Sequence, residues 1–312
     1  MTPSISIVVP VYNEEGNVEA LHQEIKDVCE SNQYEYEIIF VNDGSKDGTD
    51  TICRKLSPIK YICLRKNFGQ TAAMDAGIKA ATKDYIVTMD GDRQNDPNDI
   101  PAMIQYLEEN NLDIVSGWRK NRKDTFMKRF VSRGANLLRK ILVKDHIHDS
   151  GCSLKIYKRE CFDNLNLYGE QHRFIPALLE MKGFTVGEVV VNHRPRTAGK
   201  TKYNWKRTVK GFVDMTSIWF WNNYATRPLH MFGGMGMFSL FLGFCFGVWS
   251  IVLFCMQRDM SDNIMQPILT IFFIILGMLM FVFGMMSEIM MKTYYGSTPD
   301  ASYSIKDVTE NE

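Results

Sequence analysis

Two long stretches of this chain contain no charged side chain. Residues 229–256 and residues 265–287 lack Asp, Glu, Lys and Arg altogether. Each stretch exceeds the roughly 20 apolar residues that are needed to cross the hydrocarbon core of a bilayer. A buried core helix of that length without one charge is rare in soluble proteins. The sequence therefore predicts two transmembrane helices behind a larger, polar N-terminal part.

The remaining charges indicate how the chain would lie in the membrane. Lys and Arg crowd the approach to the first span, whereas the loop between the spans carries Arg258 against Asp259 and Asp262. The positive-inside bias then places the N-terminal part in the cytoplasm of a multi-pass inner (plasma) membrane protein. The apolar run at residues 5–11 is too short for an export signal. Seven cysteines without a CxxC pair agree with reduced, structural thiols.

Alternating strand and helix patterns fill the first third of the chain. Strand-like apolar runs occur at 5–11, 36–41, 60–64, 85–89 and 112–116, separated by helical patterns at 15–31, 47–56, 70–81 and 98–110. This alternation predicts an α/β domain with a mostly parallel sheet covered on both faces. In such sheets, ligands bind beyond the carboxyl ends of the strands.

The chain divides into four predicted regions. Residues 1–200 form the α/β domain, and residues 201–228 combine aromatic and basic side chains at helical spacing, which is typical of an amphipathic helix at a membrane interface. Residues 229–291 hold the two spans, and residues 292–312 form a cytoplasmic tail. Lys+Arg and Asp+Glu both number 36, so the chain lacks the net positive charge that would indicate a nucleic-acid partner.

Polar motifs follow the first, second and fourth predicted strands. Pro10-Val11-Tyr12-Asn13-Glu14 ends the first, and Asn42-Asp43-Gly44-Ser45 ends the second. A carboxylate such as Asp43 can accept hydrogen bonds from the N–H groups of a nucleotide base. Because Asp, Asn and Ser also favour ordinary helix caps, these two motifs alone would say little.

Asp90 and Asp92 follow the apolar run at 85–89 and supply the decisive signal. Two carboxylates at a strand end can share a hard divalent cation, Mg²⁺ or Mn²⁺, with a diphosphate. The cation would neutralise the charge that develops on a nucleoside-diphosphate leaving group. The chain contains neither Gly-x-Gly-x-x-Gly after a strand nor a Walker-type GxxxxGK[ST], which argues against a dinucleotide-dependent enzyme and a P-loop NTPase.

These motifs, with DSGCSLKIYKRE, EQHRFIP and RPRTAGKTKYNW further along, resemble the polyprenyl-phosphate glycosyltransferases. That family belongs to the inverting GT-A class, which includes the dolichyl-phosphate mannose synthases, and the two C-terminal spans resemble its bacterial undecaprenyl-phosphate branch. The resemblance implies a Rossmann-like GT-A catalytic domain, a UDP- or GDP-linked sugar donor and a polyprenyl phosphate acceptor. The product would be a lipid-linked sugar for cell-envelope glycans or lipid modification.

The resemblance also implies roles for matching residues. The base and ribose would be held by Pro10, Tyr12, Glu14 and Asp43, with Asn67 and Gly69 shaping the same pocket. The metal and the diphosphate would be surrounded by Asp90, Asp92 and Gln94, with Arg119 facing the donor phosphate. Arg196 and Lys202 would grip phosphate, and Asp149 is the carboxylate nearest to Cys152, where some relatives carry an acidic residue considered as a base.

The acceptor needs little deprotonation, because a phosphate monoester has a second pKa near about 6 and is largely dianionic at neutral pH. The sequence leaves the need for a catalytic base open. The basic run at 118–144, with Arg129 and Arg133, would supply further acceptor contacts or face anionic lipid. Three alternatives stay open: a processive polysaccharide synthase, a non-catalytic nucleotide-sugar-binding scaffold, and a flippase or channel. A flippase or channel would require a homo-oligomer, because two spans are too few, and the sequence does not reveal the oligomeric state.

Overall fold

The computed structural model describes residues 3–120, 147–163, 165, 167, 169–195, 213, 216, 217, 219–221, 223–225, 227–256 and 264–297. The chain forms two compact units, Met1–Thr216 and Ser217–Glu312. The predicted interfacial helix at 201–228 lies largely outside the described residues, and the four-region division stays a prediction.

One sheet of seven strands organises the first unit. The strands are β1 (Ser4–Val11), β2 (Glu35–Asn42), β3 (Lys60–Cys63), β4 (Tyr85–Thr88), β5 (Ile114–Trp118), β6 (Lys155–Lys158) and β7 (Val186–Val190). Their spatial order is β3-β2-β1-β4-β6-β5-β7, and β6 runs antiparallel to both of its neighbours. The other pairs are parallel, which confirms the prediction of a mostly parallel sheet.

Helices cover both faces of this sheet because its strands are apolar on both sides. The described helices of the unit are α1 (Val18–Ser31), α2 (Thr49–Cys53), α3 (Gln70–Ala80), α4 (Ile100–Glu109) and α5 (Ile175–Met181). Ile7 and Val9 of β1 face the core beneath α1 and α4, whereas Val8 faces the core beneath α3 and α5. Burying alternate residues in two cores explains the continuously apolar strand sequences.

Two long helices make up most of the described second unit. They are α6 (Pro228–Cys255) and α7 (Met265–Ser297), and both are long and apolar enough to cross a membrane. Most of their large apolar side chains are exposed, unlike those of a core helix in a soluble protein. A Cβ on Gly236 would lie 2.9 Å from the carbonyl oxygen of Gly277, and one on Gly243 would lie 3.0 Å from a side-chain carbon of Ile274. Small residues thus let the two helices pack closely.

Candidate active site

The segments after β1 and β2 bind each other directly. The backbone N–H of Asn13 donates to Oγ of Ser45 at 2.9 Å, and the backbone N–H of Lys46 donates to Oδ1 of Asn13 at 2.8 Å. Glu14 is held by Asn17, whose amide nitrogen donates to its carboxylate at 2.7 Å. The first two predicted motifs therefore form one continuous polar surface at the carboxyl edge of the sheet.

Asp43 joins this surface to the loop after β3. Its buried carboxylate accepts from the backbone N–H of Phe68 at 2.7 Å and from that of Gly69 at 3.0 Å. Gly44 makes this approach feasible, because a Cβ there would lie 2.5 Å from the backbone carbon of Lys66. The structure thus brings Asp43 together with the 67–69 loop, and the role of these residues in a nucleotide pocket stays a prediction. A carboxylate has about four lone-pair sites, so Asp43 can still accept from a nucleotide base.

The third motif lies beside the first. A Cβ on Gly91 would lie 2.8 Å from a side-chain carbon of Val11, so the loop after β4 packs directly on the end of β1. Nε2 of Gln70, at the start of α3, donates to Oδ1 of Asp90 at 2.7 Å. Asp92 is buried, and its Oδ1 accepts from the backbone N–H of Gln94 at 3.1 Å. Both carboxylates are therefore held in place before any ligand arrives.

Asp90 lies among groups of both charges. Burial and the neighbouring charge of Asp92 raise the pKa of Asp90, whereas Ser153, Arg119 and Lys155 act in the opposite direction. A divalent cation would relieve the repulsion between the two carboxylates. Within the described residues, no group of three or more His, Cys, Asp or Glu side chains could hold a metal ion. The two carboxylates fit a cation whose other ligands are phosphate and water oxygens.

Arg119, just after β5, forms a two-point ion pair with Asp149. Its Nε and one terminal nitrogen donate to the two carboxylate oxygens at 2.7 and 2.9 Å. Although burial opposes the charged guanidinium, Asp149 raises the pKa of Arg119 above its usual value. Glu188 of β7 fixes this loop by accepting from the backbone N–H groups of His148 and Asp149. Asp149 is thus the ion-pair partner of Arg119, and the role of Asp149 as a catalytic base stays a prediction.

The described chain after β7 ends beside the Asp90–Gln94 loop. The backbone N–H of Arg194 donates to the carbonyl oxygen of Gln94 at 2.9 Å, and its guanidinium pairs with Glu24 at 2.7 Å and with Asp96 at 2.6 Å. The predicted phosphate-binding residues that follow, and the two arginines of the earlier basic run, lie outside the described residues. These are Arg196, Lys202, Arg129 and Arg133.

Sequence reasoning missed three residues that organise this site: Gln70, Lys155 and Arg194. Lys155 did give a signal, since a lysine in the apolar run Leu154–Tyr157 has no solvent face to occupy. Gln70 gave none, because a glutamine at the start of a helix is unremarkable in a sequence. Only the fold places it against Asp90.

Comparison with known proteins agrees with this geometry. Residues 6–165 match the family described as Glycosyl transferase family 2. The chain is 36% identical over 326 residues to the dodecaprenyl-phosphate galacturonate synthase of Rhizobium johnstonii, covering 99% of this chain and 94% of that protein. It is 27% identical over 313 residues to the undecaprenyl-phosphate 4-deoxy-4-formamido-L-arabinose transferase of Aeromonas hydrophila, covering 98% and 94% of the two chains.

A solved structure shares the fold at low sequence identity. Glucosyl-3-phosphoglycerate synthase from Mycobacterium tuberculosis, in complex with Mn²⁺ and UDP-glucose, aligns with a TM-score of 0.53 at 16% identity, covering 70% of this chain and 79% of that one. The sheet and its strand-end motifs are those of a GT-A fold. This chain therefore belongs to glycosyl transferase family 2, and the protein is a glycosyltransferase.

Proposed function

We propose that the protein transfers a sugar from a UDP- or GDP-linked donor to a polyprenyl phosphate, such as undecaprenyl phosphate, at the cytoplasmic face of the inner membrane. The observation that carries this proposal is the combination of a family 2 transferase site with two exposed apolar helices in one chain. Relatives that align over almost the whole chain are named for transfer to dodecaprenyl or undecaprenyl phosphate. The product is a lipid-linked sugar for the cell envelope.

The donor nucleotide lies against the joined surface of the first two motifs. Pro10, Tyr12 and Glu14 line one side of it, and Asp43 accepts from the base while it holds the 67–69 loop. Arg119 contributes positive charge toward the donor phosphate. Its ion pair with Asp149 fixes the guanidinium plane, and a charge-assisted two-point pair of this kind also gives geometric precision.

A divalent cation completes the donor site. Asp90 and Asp92 would hold Mg²⁺ or Mn²⁺, and Gln94 lies in the same loop with its backbone N–H bound to Asp92. When bound, the cation neutralises negative charge on the leaving nucleoside diphosphate. The M. tuberculosis enzyme of the same fold contains Mn²⁺ together with UDP-glucose, which supports the choice of metal.

The acceptor phosphate acts as its own nucleophile. One of its oxygens forms a bond to the anomeric carbon while the bond from that carbon to the diphosphate oxygen breaks. The electron pair leaves with the nucleoside diphosphate, and configuration at the anomeric carbon inverts. Because the phosphate monoester is largely dianionic at neutral pH, no proton has to be removed.

Two anions must meet in this reaction, and cations have to hold them together. Arg196 and Lys202 follow the point at which the described chain, at Arg194, binds the Asp90–Gln94 loop. We assign the acceptor phosphate to Arg196 and Lys202, with Arg129 and Arg133 as further candidates. The apolar helices α6 and α7 would hold the protein at the membrane, where a lipid phosphate is found.

Replacing Asp92 tests the cation and the function together. Asp92→Ala should abolish the formation of lipid-linked sugar, because one carboxylate would carry the cation alone, while Asp27→Ala on the exposed face of α1 should leave the rate unchanged. The measurement is transfer of radiolabel from a panel of nucleotide sugars to undecaprenyl phosphate, with and without EDTA. Full activity of Asp92→Ala in EDTA would remove the metal from the proposal.

A further inference from the structure

Lys155, the first residue of β6, is a buried lysine that the reaction described above does not use. Only 2% of it is exposed. Lysine is almost never fully buried unless its charge has a partner. Its Nζ lies 3.3 Å from the carbonyl oxygen of Ser150, which is a neutral group and not a carboxylate. Burying an ammonium group that contacts only a neutral carbonyl costs free energy, which indicates that the charge has a function at this position.

The strand register places Lys155 directly below the catalytic edge. Its Cα is paired with Thr88 of β4 on one side and with Ser116 of β5 on the other. Thr88 comes two residues before Asp90, and Ser116 comes three residues before Arg119. Side chains directly opposite each other on neighbouring strands project to the same face. Lys155 therefore projects on the same face of the sheet as Thr88 and Ser116, close to the strand ends that carry Asp90 and Arg119.

The charges of this region act on one another. Burial lowers the pKa of Lys155 to about 8, whereas the negative charges of Asp149 and Asp90 favour its protonated form and Arg119 opposes it. The ammonium group is still mostly protonated at neutral pH. In return, its charge favours the ionised form of Asp90. Lys155 thus stabilises the Asp90 carboxylate while no metal is bound, and its charge would repel an arriving cation.

The bond to Ser150 gives Lys155 a second connection to the site. Ser150 follows Asp149, the partner of Arg119, so the ammonium group ties down the turn that fixes the Arg119 guanidinium. We propose that Lys155 is a positioning residue that anchors the 149–151 turn and sets the affinity of the Asp90–Asp92 pair for a divalent cation. The inference rests on the proposed function, because the cation belongs to that proposal.

Binding of Mn²⁺ alone separates the electrostatic role from a structural one. The full chain in detergent micelles, without nucleotide or acceptor, is titrated with Mn²⁺ while free Mn²⁺ is followed by electron paramagnetic resonance. Lys155→Met should bind Mn²⁺ about three- to tenfold more tightly, since one positive charge that repels the cation is removed. Lys155→Gln should show the same tightening, although its amide can still donate to Ser150.

Two further variants act as controls for charge and for burial. Lys155→Arg keeps the charge and should keep the wild-type Mn²⁺ affinity. Ser116→Ala removes a buried neutral group directly opposite Lys155 on β5 and should change the affinity by less than about twofold. Both neutral Lys155 variants should also transfer sugar more slowly. A purely structural role would instead weaken Mn²⁺ binding in every variant that disturbs the turn.

Each outcome decides the inference. Unchanged or weaker Mn²⁺ binding in Lys155→Met would overturn it, and Lys155→Gln decides in the same way should the methionine variant fail to fold. Equal tightening in Ser116→Ala would also overturn it, because charge would then not be the cause. Wild-type protein that binds no Mn²⁺ would overturn the inference and the proposed metal together. Normal Mn²⁺ binding by wild type with an unchanged constant in both neutral variants would overturn the inference alone.

Discussion

At the scale of residues, Asp149 could act either as a catalytic base or as the residue that orients Arg119, and its ion pair with Arg119 bears on that choice. Both carboxylate oxygens accept hydrogen bonds from the guanidinium, and this arrangement suits a group that orients an arginine. A base needs an oxygen directed at the proton that it removes. Since the phosphate acceptor is already deprotonated, we favour the orienting role.

Asp149→Asn should therefore raise the KM for the donor about tenfold and leave the shape of the pH–rate profile unchanged, because a charge-assisted pair is weakened. Arg119→Lys, which keeps the charge but loses the two-point contact, should raise the donor KM in parallel. Steady-state kinetics between pH 6 and 9 supply the measurement. A fall in kcat with loss of the acidic limb in Asp149→Asn would show that this carboxylate is the base.

At the scale of residues, the sequence predicts motif residues from their chemistry but does not reveal the residues that support them. Asp43, Asp90 and Asp92 stand in motifs whose residue types follow from nucleotide and metal chemistry. The partners that hold them come from distant positions: Gln70 reaches Asp90, and Phe68 donates to Asp43 through its backbone. A backbone donor carries no signature in the residue type, so such contacts become visible only once the fold is known.

At the scale of elements, the turn after β2 shapes the proposed nucleotide site. Gly44 has a φ of 68°, in the left-handed region, and a Cβ there would lie 2.5 Å from the backbone of Lys66. Alanine at this position would both strain the turn and push away the loop that binds Asp43. Gly183 offers a matched control, because its φ is 94° but nothing lies within 4 Å of its Cβ position.

Gly44→Ala should lower the free energy of unfolding by about 2–4 kcal/mol, and Gly183→Ala by about 1–2 kcal/mol. The unfolding midpoint should therefore fall further in Gly44→Ala. Gly44→Ala should also weaken binding of UDP or GDP, whereas Gly183→Ala should leave nucleotide affinity unchanged. Thermal unfolding in micelles and calorimetry with each nucleotide give both values. Equal effects of the two substitutions on nucleotide binding would mean that the contact with the loop is dispensable.

The elements themselves followed closely from periodicity, and the exceptions have physical reasons. The five strands predicted up to residue 116 form at the expected places, because four of them are continuous apolar runs buried between helices and the edge strand β3 is partly buried against the same cores. The antiparallel direction of β6 was not predictable from its residues, since an antiparallel strand buried on both faces has the same composition as a parallel one.

At the scale of the whole molecule, the cysteines offer a natural test of orientation in the membrane. Burial raises the pKa of Cys29 and Cys53 to about 12, and it also raises that of Cys152 and Cys161, so these four thiols should react slowly. The exposed Cys63 at the end of β3 is available to an aqueous reagent. The remaining two, Cys245 and Cys255, lie in the apolar helix α6.

A membrane-impermeant maleimide should therefore label Cys63 in inverted inner-membrane vesicles and leave it unlabelled in intact spheroplasts. This expectation follows from the basic residues that precede α6, because the positive-inside rule favours a cytoplasmic catalytic unit. Cys63→Ser should abolish the labelling and so identify the reacting thiol. Labelling of Cys63 in intact spheroplasts would reverse the orientation and remove access to cytoplasmic nucleotide sugars.

Formation of the lipid-linked product tests the central claim most directly. Purified protein is incubated with Mn²⁺, undecaprenyl phosphate and each of a panel of radiolabelled UDP- and GDP-sugars, and the organic phase is analysed by mass spectrometry. We predict that one donor gives undecaprenyl phosphate carrying a single sugar, and that Asp92→Ala gives none. Donor consumption that leaves undecaprenyl phosphate unmodified with every sugar, or growth of a polymer on the acceptor, would contradict the account.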